Sequence, residues 1–291
     1  MKILVSGGLG FVGSHLVDLL MLDSKNKVVV IDNLSSESSS RDYMRDDVTY
    51  WIDDIRNLNT QRYENKTFDI IYHLGALARI QPSFKDPLTH LSINIMGSSH
   101  VLEFARKKSS KVIYAGSSSA FGDQMLNPYT FTKYTGEQIC ELYSRVYGLS
   151  TVVARFFNVY GDRQPITGPY ATVIGVFEEQ TKNTLPLTVT GTGEQRRDFT
   201  HVSDIAAGLV ALSEDAWQGE VFQLGTGVNY SINDLANMFG GEIKYIPLRP
   251  GETWITLADI SDTIKHVGWT PKINLLDYVS EWKMKNLGEK E

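Results

Sequence analysis

Residues 2–20 read KILVSGGLGFVGSHLVDLL: a short β-rich run, a glycine-rich turn, then an amphipathic helical pattern. Gly7, Gly10 and Gly13 have the spacing GxxGxxG. Glycines so placed allow a tight turn, close approach of backbone to a pyrophosphate, and close packing of helix on strand. The helix start, at Phe11 and Val12, would then face the phosphates, where unpaired N–H groups and the helix dipole favour negative charge. The next apolar run, VVVID, ends in Asp32, about twenty residues further on, where an acidic residue meets a ribose. Glycines alone only shape a turn. Strand before, helix after and an acid closing the second strand together read as a dinucleotide-binding unit.

Outward from this unit, apolar β-branched runs recur at 28–31, 48–52, 69–74, 111–115 and 151–155. Such runs suit strands buried on both faces of a parallel sheet. Helical patterns at 11–22, 87–107 and 129–147 alternate with them, which predicts an α/β fold with a Rossmann-type doubly wound parallel sheet. The site is then expected in the loops at the strand ends. Asn33 to Arg45 is polar and serine-rich and reads as a solvated, mobile loop beside the cofactor ribose. From Gly161 the alternation breaks. Residues 203–214 and 220–226 resume a helix and a strand, and the tail from Val228 carries two more helical patterns and the loop PLRPGETW. This predicts a dinucleotide-binding domain of residues 1–160 plus 200–227 and a smaller α/β substrate-binding domain of 161–199 plus 228–291.

The stretch from Ser117 to Lys133, SSSAFGDQMLNPYTFTK, holds hydroxyls, a tyrosine and a lysine together. Tyr129 and Lys133 stand four apart in a helical segment and so share a face. A phenol titrates near pH ~10, and a neighbouring ammonium draws it toward the working range. Ser117, after the apolar run KVIYAG, can hold the substrate oxygen whose proton the tyrosine removes. The three form a candidate proton relay.

The chain has 291 residues, 21% charged and 42% hydrophobic, with a net charge of -6. That balance shows no basic patch, which argues against nucleic acid and anionic membrane as partners. The single cysteine, Cys140, falls in a helical pattern, reads as core and suits a reducing compartment. No apolar run reaches the length of a membrane span, and no signal peptide is evident, so a cytoplasmic, soluble protein is expected.

With these residues in view, the chain resembles the extended short-chain dehydrogenase/reductase family, in particular its NAD-dependent nucleotide-sugar epimerases and dehydratases. GGLGFVG, Asp54-Ile55-Arg56, YHLGALA, Ser117 to Ser119, Tyr129 with Lys133, RFFNVYG, GTGEQRRDFTHV and LRPGE occur in that family's order. The resemblance implies NAD as cofactor, with Asp32 on the adenosine ribose beside Asn33, Asp54 and Ile55 at the adenine, and Leu74 and Ala76 on the nicotinamide side. A carboxylate at Asp32 accepts from a ribose 2′-hydroxyl and repels a 2′-phosphate, which favours NAD over NADP. It further implies Asn158 near the substrate phosphates and Arg197 and Arg249 on a diphosphate, for which guanidinium forks are suited. Asp198, Phe199 and Asp204 are expected to be scaffold, and no metal is expected.

Dehydratases of the family follow the Ser117 position with an acidic pair, and its decarboxylases keep a glutamate there. This chain has Ser118 and Ser119. Without an acid to expel a hydroxyl, oxidation and re-reduction at one carbon is favoured, which is epimerisation. The resemblance therefore implies a UDP-hexose or UDP-N-acetylhexosamine 4-epimerase. A nucleotide-sugar 4-reductase or dehydrogenase that releases its cofactor, and a non-catalytic NAD-binding regulator, are the alternatives. Two departures from the family stand out: a loop of only DQMLN before Pro128, which implies a more open pocket, and Phe121 and Gly75 where tyrosine and alanine are usual. The helices at 91–107 and 129–147 imply a homodimer. Thr256, seven places after Arg249, falls where relatives gate the sugar's size, and its small side chain implies room for an acetamido group.

Overall fold

The computed structural model describes residues 1–36 and 39–288; Glu37 and Ser38 of the serine-rich loop, and residues 289–291, lie outside it. In chain order the first half comprises β1 (Lys2–Ser6), α1 (Phe11–Leu20), β2 (Lys27–Asp32), β3 (Thr49–Ile52), β4 (Ile70–His73), α2 (Ile80–Lys85), α3 (Pro87–Leu91), α4 (Ser98–Lys108), β5 (Lys111–Ser117) and α5 (Pro128–Tyr147). There follow β6 (Thr151–Phe156), β7 (Asn158–Tyr160), α6 (Val173–Lys182), β8 (Leu187–Thr190), β9 (Arg196–His201), α7 (Val202–Leu212) and β10 (Gln218–Leu224). The tail holds β11 (Asn229–Ser231), α8 (Ile232–Phe239), β12 (Ile243–Ile246), α9 (Ser261–Val267) and α10 (Leu275–Leu287).

Seven strands pair in parallel in the order β10-β6-β5-β4-β1-β2-β3. The alternation of side chains along each strand feeds two cores. Ile3, Val5, Val28, Val30 and Ile113 pack on α1 and α7, while Leu4, Ile31, Ile71, Val112 and Val153 pack against α4 and α5. Cys140 lies fully buried in the second of these cores. Chain direction across the sheet reverses between β1 and β4. There the loops part at the carboxyl ends of the strands, and a crevice opens.

A third core gathers Tyr160, Phe177, Leu187, Val189, Phe199, Leu235, Phe239 and Val279. It packs α6, α8 and α10 around two small sheets, β11-β9-β7 and β12-β8. Among its described residues the tail carries three helices against the two patterns expected; α8 and α9 are eight and seven residues long, with little room for a periodic pattern. Asp198 and Asp204 hold this region to the sheet. Asp198 accepts from the backbone N–H groups of Thr226, Gly227 and Ala258, and Asp204 from those of Lys272 and Ile273.

The helix expected over 87–107 is not continuous. Ser92–Gly97 widens into a π-turn between α3 and α4. Such turns are held by tertiary contacts and are frequent at functional sites. Here the Asn94 amide supplies them, taking the N–H of Leu77 at 2.8 Å and donating to its carbonyl at 3.0 Å and to Thr132 Oγ1 at 3.0 Å.

Candidate active site

The crevice is a cavity of about 660 Å³. It is lined by every residue singled out above for cofactor and substrate: Gly7, Gly10, Phe11, Val12, Gly13, Asp32, Asn33, Asp54, Ile55, Leu74, Ala76, Ser117, Tyr129, Lys133, Asn158, Arg197, Arg249 and Thr256. Positions far apart in the chain thus converge.

At one end lies the glycine turn. Gly7 has φ +72°, and a Cβ there would stand 2.8 Å from the backbone nitrogen of Gly75; at Gly13 it would stand 2.1 Å from the Gly7 carbonyl oxygen. Only glycine fits either place. Asp32, at the tip of β2, accepts the N–H of Leu9 at 3.0 Å and of Leu34 at 2.8 Å. Burial pushes its carboxyl above the usual range, while these bonds and one from Ser39 hold it back. A bare backbone turn at a helix start, beside a carboxylate with acceptor capacity left over, fits a dinucleotide with a free ribose 2′-hydroxyl. Asp54 is engaged by Arg56 at 2.7 Å and by the Asn33 amide at 3.3 Å, which orients it beside the buried Ile55. The described part of the serine-rich loop is anchored as well as solvated: Ser40 N–H donates to the Leu9 carbonyl, and Arg45 pairs with Asp18.

At mid-cavity α5 starts on an Asn127 cap and a proline, and its first turns carry Tyr129 and Lys133 over the end of β5. The Tyr129 hydroxyl donates to Ser117 Oγ at 3.3 Å, and Ser117 Oγ lies 2.9 Å from Ser119 Oγ. Lys133 takes a different position from the one its spacing suggests. Its ammonium donates to the Ala115 carbonyl and sits 4.3 Å from the centre of the Tyr114 ring. Burial lowers its pKa to about 8, against the opposing charge of Glu137. Tyr129 is shifted upward, chiefly by burial, and what works against that shift is the Ser117 bond and the charge of Arg79.

At the far end Asn158 stands on β7, and Arg197, on β9, donates to the carbonyls of Arg196 and Trp254 at 2.9 and 3.2 Å and faces Glu252 at 3.7 Å. Arg249 is exposed on the loop after β12 and lines the same space. Thr256 is buried and turns its hydroxyl toward the Asp198 N–H at 3.4 Å. Trp254 is exposed and does not line the cavity. Of the carboxylates among the described residues, Asp32, Asp53 and Asp54 line the cofactor end, and Glu252 lies by the arginines. None is hydrogen-bonded to Tyr129 or Ser117. Phe121, in place of the usual tyrosine, packs on Phe157 and beneath the Arg155 guanidinium.

Three residues that the sequence reading passed over belong to this site. Arg79 follows the YHLGALA motif directly, and its place beside a motif was the only signal. Asn94 ties the Leu77 backbone and so steadies the loop carrying Leu74 and Ala76. Gln195 lines the far end with its Oε1 buried and unpartnered among the described residues.

Fold and site together define an NAD-dependent enzyme of nucleotide sugars. The chain belongs to the NAD dependent epimerase/dehydratase family, whose family model matches residues 3–225. It is 34% identical to a putative UDP-glucose 4-epimerase of Methanocaldococcus jannaschii, with 98% of each chain covered. It is 31% identical to UDP-glucuronic acid decarboxylase 6 of Arabidopsis thaliana, covering 94% of this chain and 85% of the relative. Among solved structures, the UDP-glucose 4-epimerase of Thermotoga maritima with UDP-glucose superposes with a TM-score of 0.88 at 30% identity, covering 99% of this chain and 100% of that one. No helix among the described residues is long and apolar enough to cross a membrane.

Proposed function

We propose that the protein is a UDP-hexose 4-epimerase acting through a 4-keto sugar. The observation that carries this reading is the Ser117–Tyr129 hydrogen bond in a part of the cavity whose neighbouring side chains are the hydroxyls of Ser118 and Ser119. When bound, NAD supplies the hydride acceptor and donor for the sugar C4. Ser117 holds the 4-hydroxyl oxygen, and Tyr129 takes its proton as the carbonyl forms and returns it at the end. Arg79 favours the phenolate while it exists. Lys133, whose pKa burial lowers to about 8, holds the strand end through the Ala115 carbonyl. A dehydratase or a decarboxylase needs a further acid or base beside the sugar, and serines cannot serve as the acid that expels a hydroxyl.

The segments 161–199 and 228–291 are proposed to carry the substrate, with Arg197 and Arg249 on the diphosphate and Asn158 beside it, and the rest of the chain to carry NAD. Leu88, Met96, Leu142 and Val146 are exposed on the α3-to-α5 face, which supports a homodimer through those helices; light scattering showing monomer alone at micromolar concentration would refute it. The enzymatic test is product analysis with UDP-glucose. Formation of UDP-galactose without net NADH is expected. Stoichiometric NADH release, or a dehydrated or decarboxylated product from a panel of UDP-sugars, would sink the proposal.

A further inference from the structure

We propose that Arg79 receives an anionic substituent of the sugar, so that the site is built for a nucleotide sugar carrying a carboxylate next to the reacting carbon, as a hexuronate does. This rests on the 4-epimerase reading above and deepens it.

Arg79 stands where the chain leaves the cofactor-side loop and begins α2, and it lines the cavity. Its φ of +85° is one that residues other than glycine rarely adopt, and such conformations persist only where the surroundings over-determine them. The surroundings do so here. Arg79 Nε donates to the Tyr170 carbonyl at 3.0 Å, Ser83 Oγ accepts the Tyr129 N–H at 3.1 Å, and the Gln81 amide donates to the Pro250 carbonyl at 2.9 Å. The segment is thereby stitched to the Tyr129 helix on one side and to the loop of Arg249 on the other.

With Nε engaged, the two terminal nitrogens of Arg79 have no hydrogen-bond partner among the described residues, and no described carboxylate lies within ion-pair distance. Of the other arginines near the site, Arg249 likewise has no ion pair among the described residues but is exposed to solvent, and two are paired. Arg197 faces Glu252, and Arg155 forks onto buried Glu137 at 2.6 Å behind β5. A partly buried guanidinium with no counter-ion is unfavourable until something supplies the charge. The diphosphate has Arg197 and Arg249 at the far end, whereas the field of Arg79 is felt at the Tyr129 hydroxyl, where C4 reacts. In a hexuronate the carboxylate is borne on C5, the carbon next to C4, and a planar guanidinium fork matches a carboxylate in paired hydrogen bonds.

The test is binding to the NAD-loaded full chain in the Tyr129→Phe background, where neither turnover nor the effect of Arg79 on the phenol enters. UDP-glucuronate and UDP-glucose differ only in the C6 carboxylate. The expected result is a preference for UDP-glucuronate, reduced ~10–100-fold by Arg79→Met, the range for a hydrogen bond to a charged group, with UDP-glucose changed less than about 3-fold. Arg79→Lys should fall between, keeping the charge but losing the fork. Melting temperatures confirm that each variant is folded, and should Arg79→Met unfold, Arg79→Lys alone must still lower the preference. Equal losses for both sugars, which would put Arg79 on the diphosphate, or an absent preference in the parent, overturn the inference while leaving the 4-epimerase reading intact. Failure of both sugars to bind overturns the two together.

Discussion

The two ends of the cavity are built by different means. At the cofactor end the glycine turn and the first acid are backbone and a short side chain within 32 residues of the start: a turn in which Gly7 and Gly13 admit no Cβ, and Asp32 fastened by two backbone N–H groups. The groups proposed for the sugar nucleotide are long side chains from distant segments, Arg79, Arg197 and Arg249, on loops or strand ends. The first arrangement suits a pyrophosphate and a ribose with a free 2′-hydroxyl. The second is adjustable residue by residue. Specificity is accordingly expected to change at the sugar end with the cofactor end unaltered, as suits a fold whose sites are carried on its loops.

Substitutions at each end test that separation. The largest effect is expected of Tyr129→Phe, which removes the proton acceptor and should cut turnover by ~10²–10⁴-fold. NAD content, read by absorbance after denaturation, should stay at the wild-type level. Turnover above a tenth of wild type would remove Tyr129 from the chemistry, and loss of NAD would show that the ends are not separable.

Next in size is Gly13→Ala. The added Cβ would meet the Gly7 carbonyl oxygen at 2.1 Å, so the turn must open. Overpacking of this kind costs about 1–3 kcal/mol, or ~5–150-fold in NAD retention. The variant should still bind a UDP-sugar when excess NAD is supplied. Retention equal to wild type would mean that the turn is softer than its contacts imply.

Thr256→Tyr sharpens the comparison at the sugar end alone. Trp254 is turned outward and does not fill the pocket, so Thr256 is free to set the space there. The wild type should accept UDP-N-acetylglucosamine, and the tyrosine should shift kcat/KM toward UDP-glucose by ~1–3 kcal/mol. An unchanged ratio, or rejection of the acetamido sugar by the wild type, would end the size-gate idea.

The smallest effect concerns stability. Glu178, in the core behind the sugar end, accepts from Tyr278 Oη at 2.7 Å and from the Gln164 amide at 2.8 Å, and burial raises its pKa from 4.5 to about 7. A carboxyl raised on folding contributes stability that is fully present below pH 4.5 and is lost as pH rises through about 7. Melting should therefore fall between pH 5.5 and 8.5 by an amount on the order of 1–2 kcal/mol, and Glu178→Gln should flatten the trend. A slope unchanged by that substitution would place the titrating group elsewhere.

What the sequence by itself determined was the local part: the glycine turn, the acid closing β2, the alternation of strands and helices, and the tyrosine and lysine on one helix face. Those follow from φ/ψ limits and from periods of two and 3.6 residues, which need no distant partner. Only the tertiary structure decided what surrounds them. Lys133 belongs to the Ala115 carbonyl because β5 runs beneath α5, which no spacing within the helix records. The π-turn forms because Asn94 finds the Leu77 backbone seventeen residues away. Arg79 was silent in the chain for the same reason. The role proposed for it rests on the lack of a carboxylate partner among the described residues and on the tyrosine fifty positions on, and both are properties of three-dimensional neighbours, whose charge acts through space and not along the sequence.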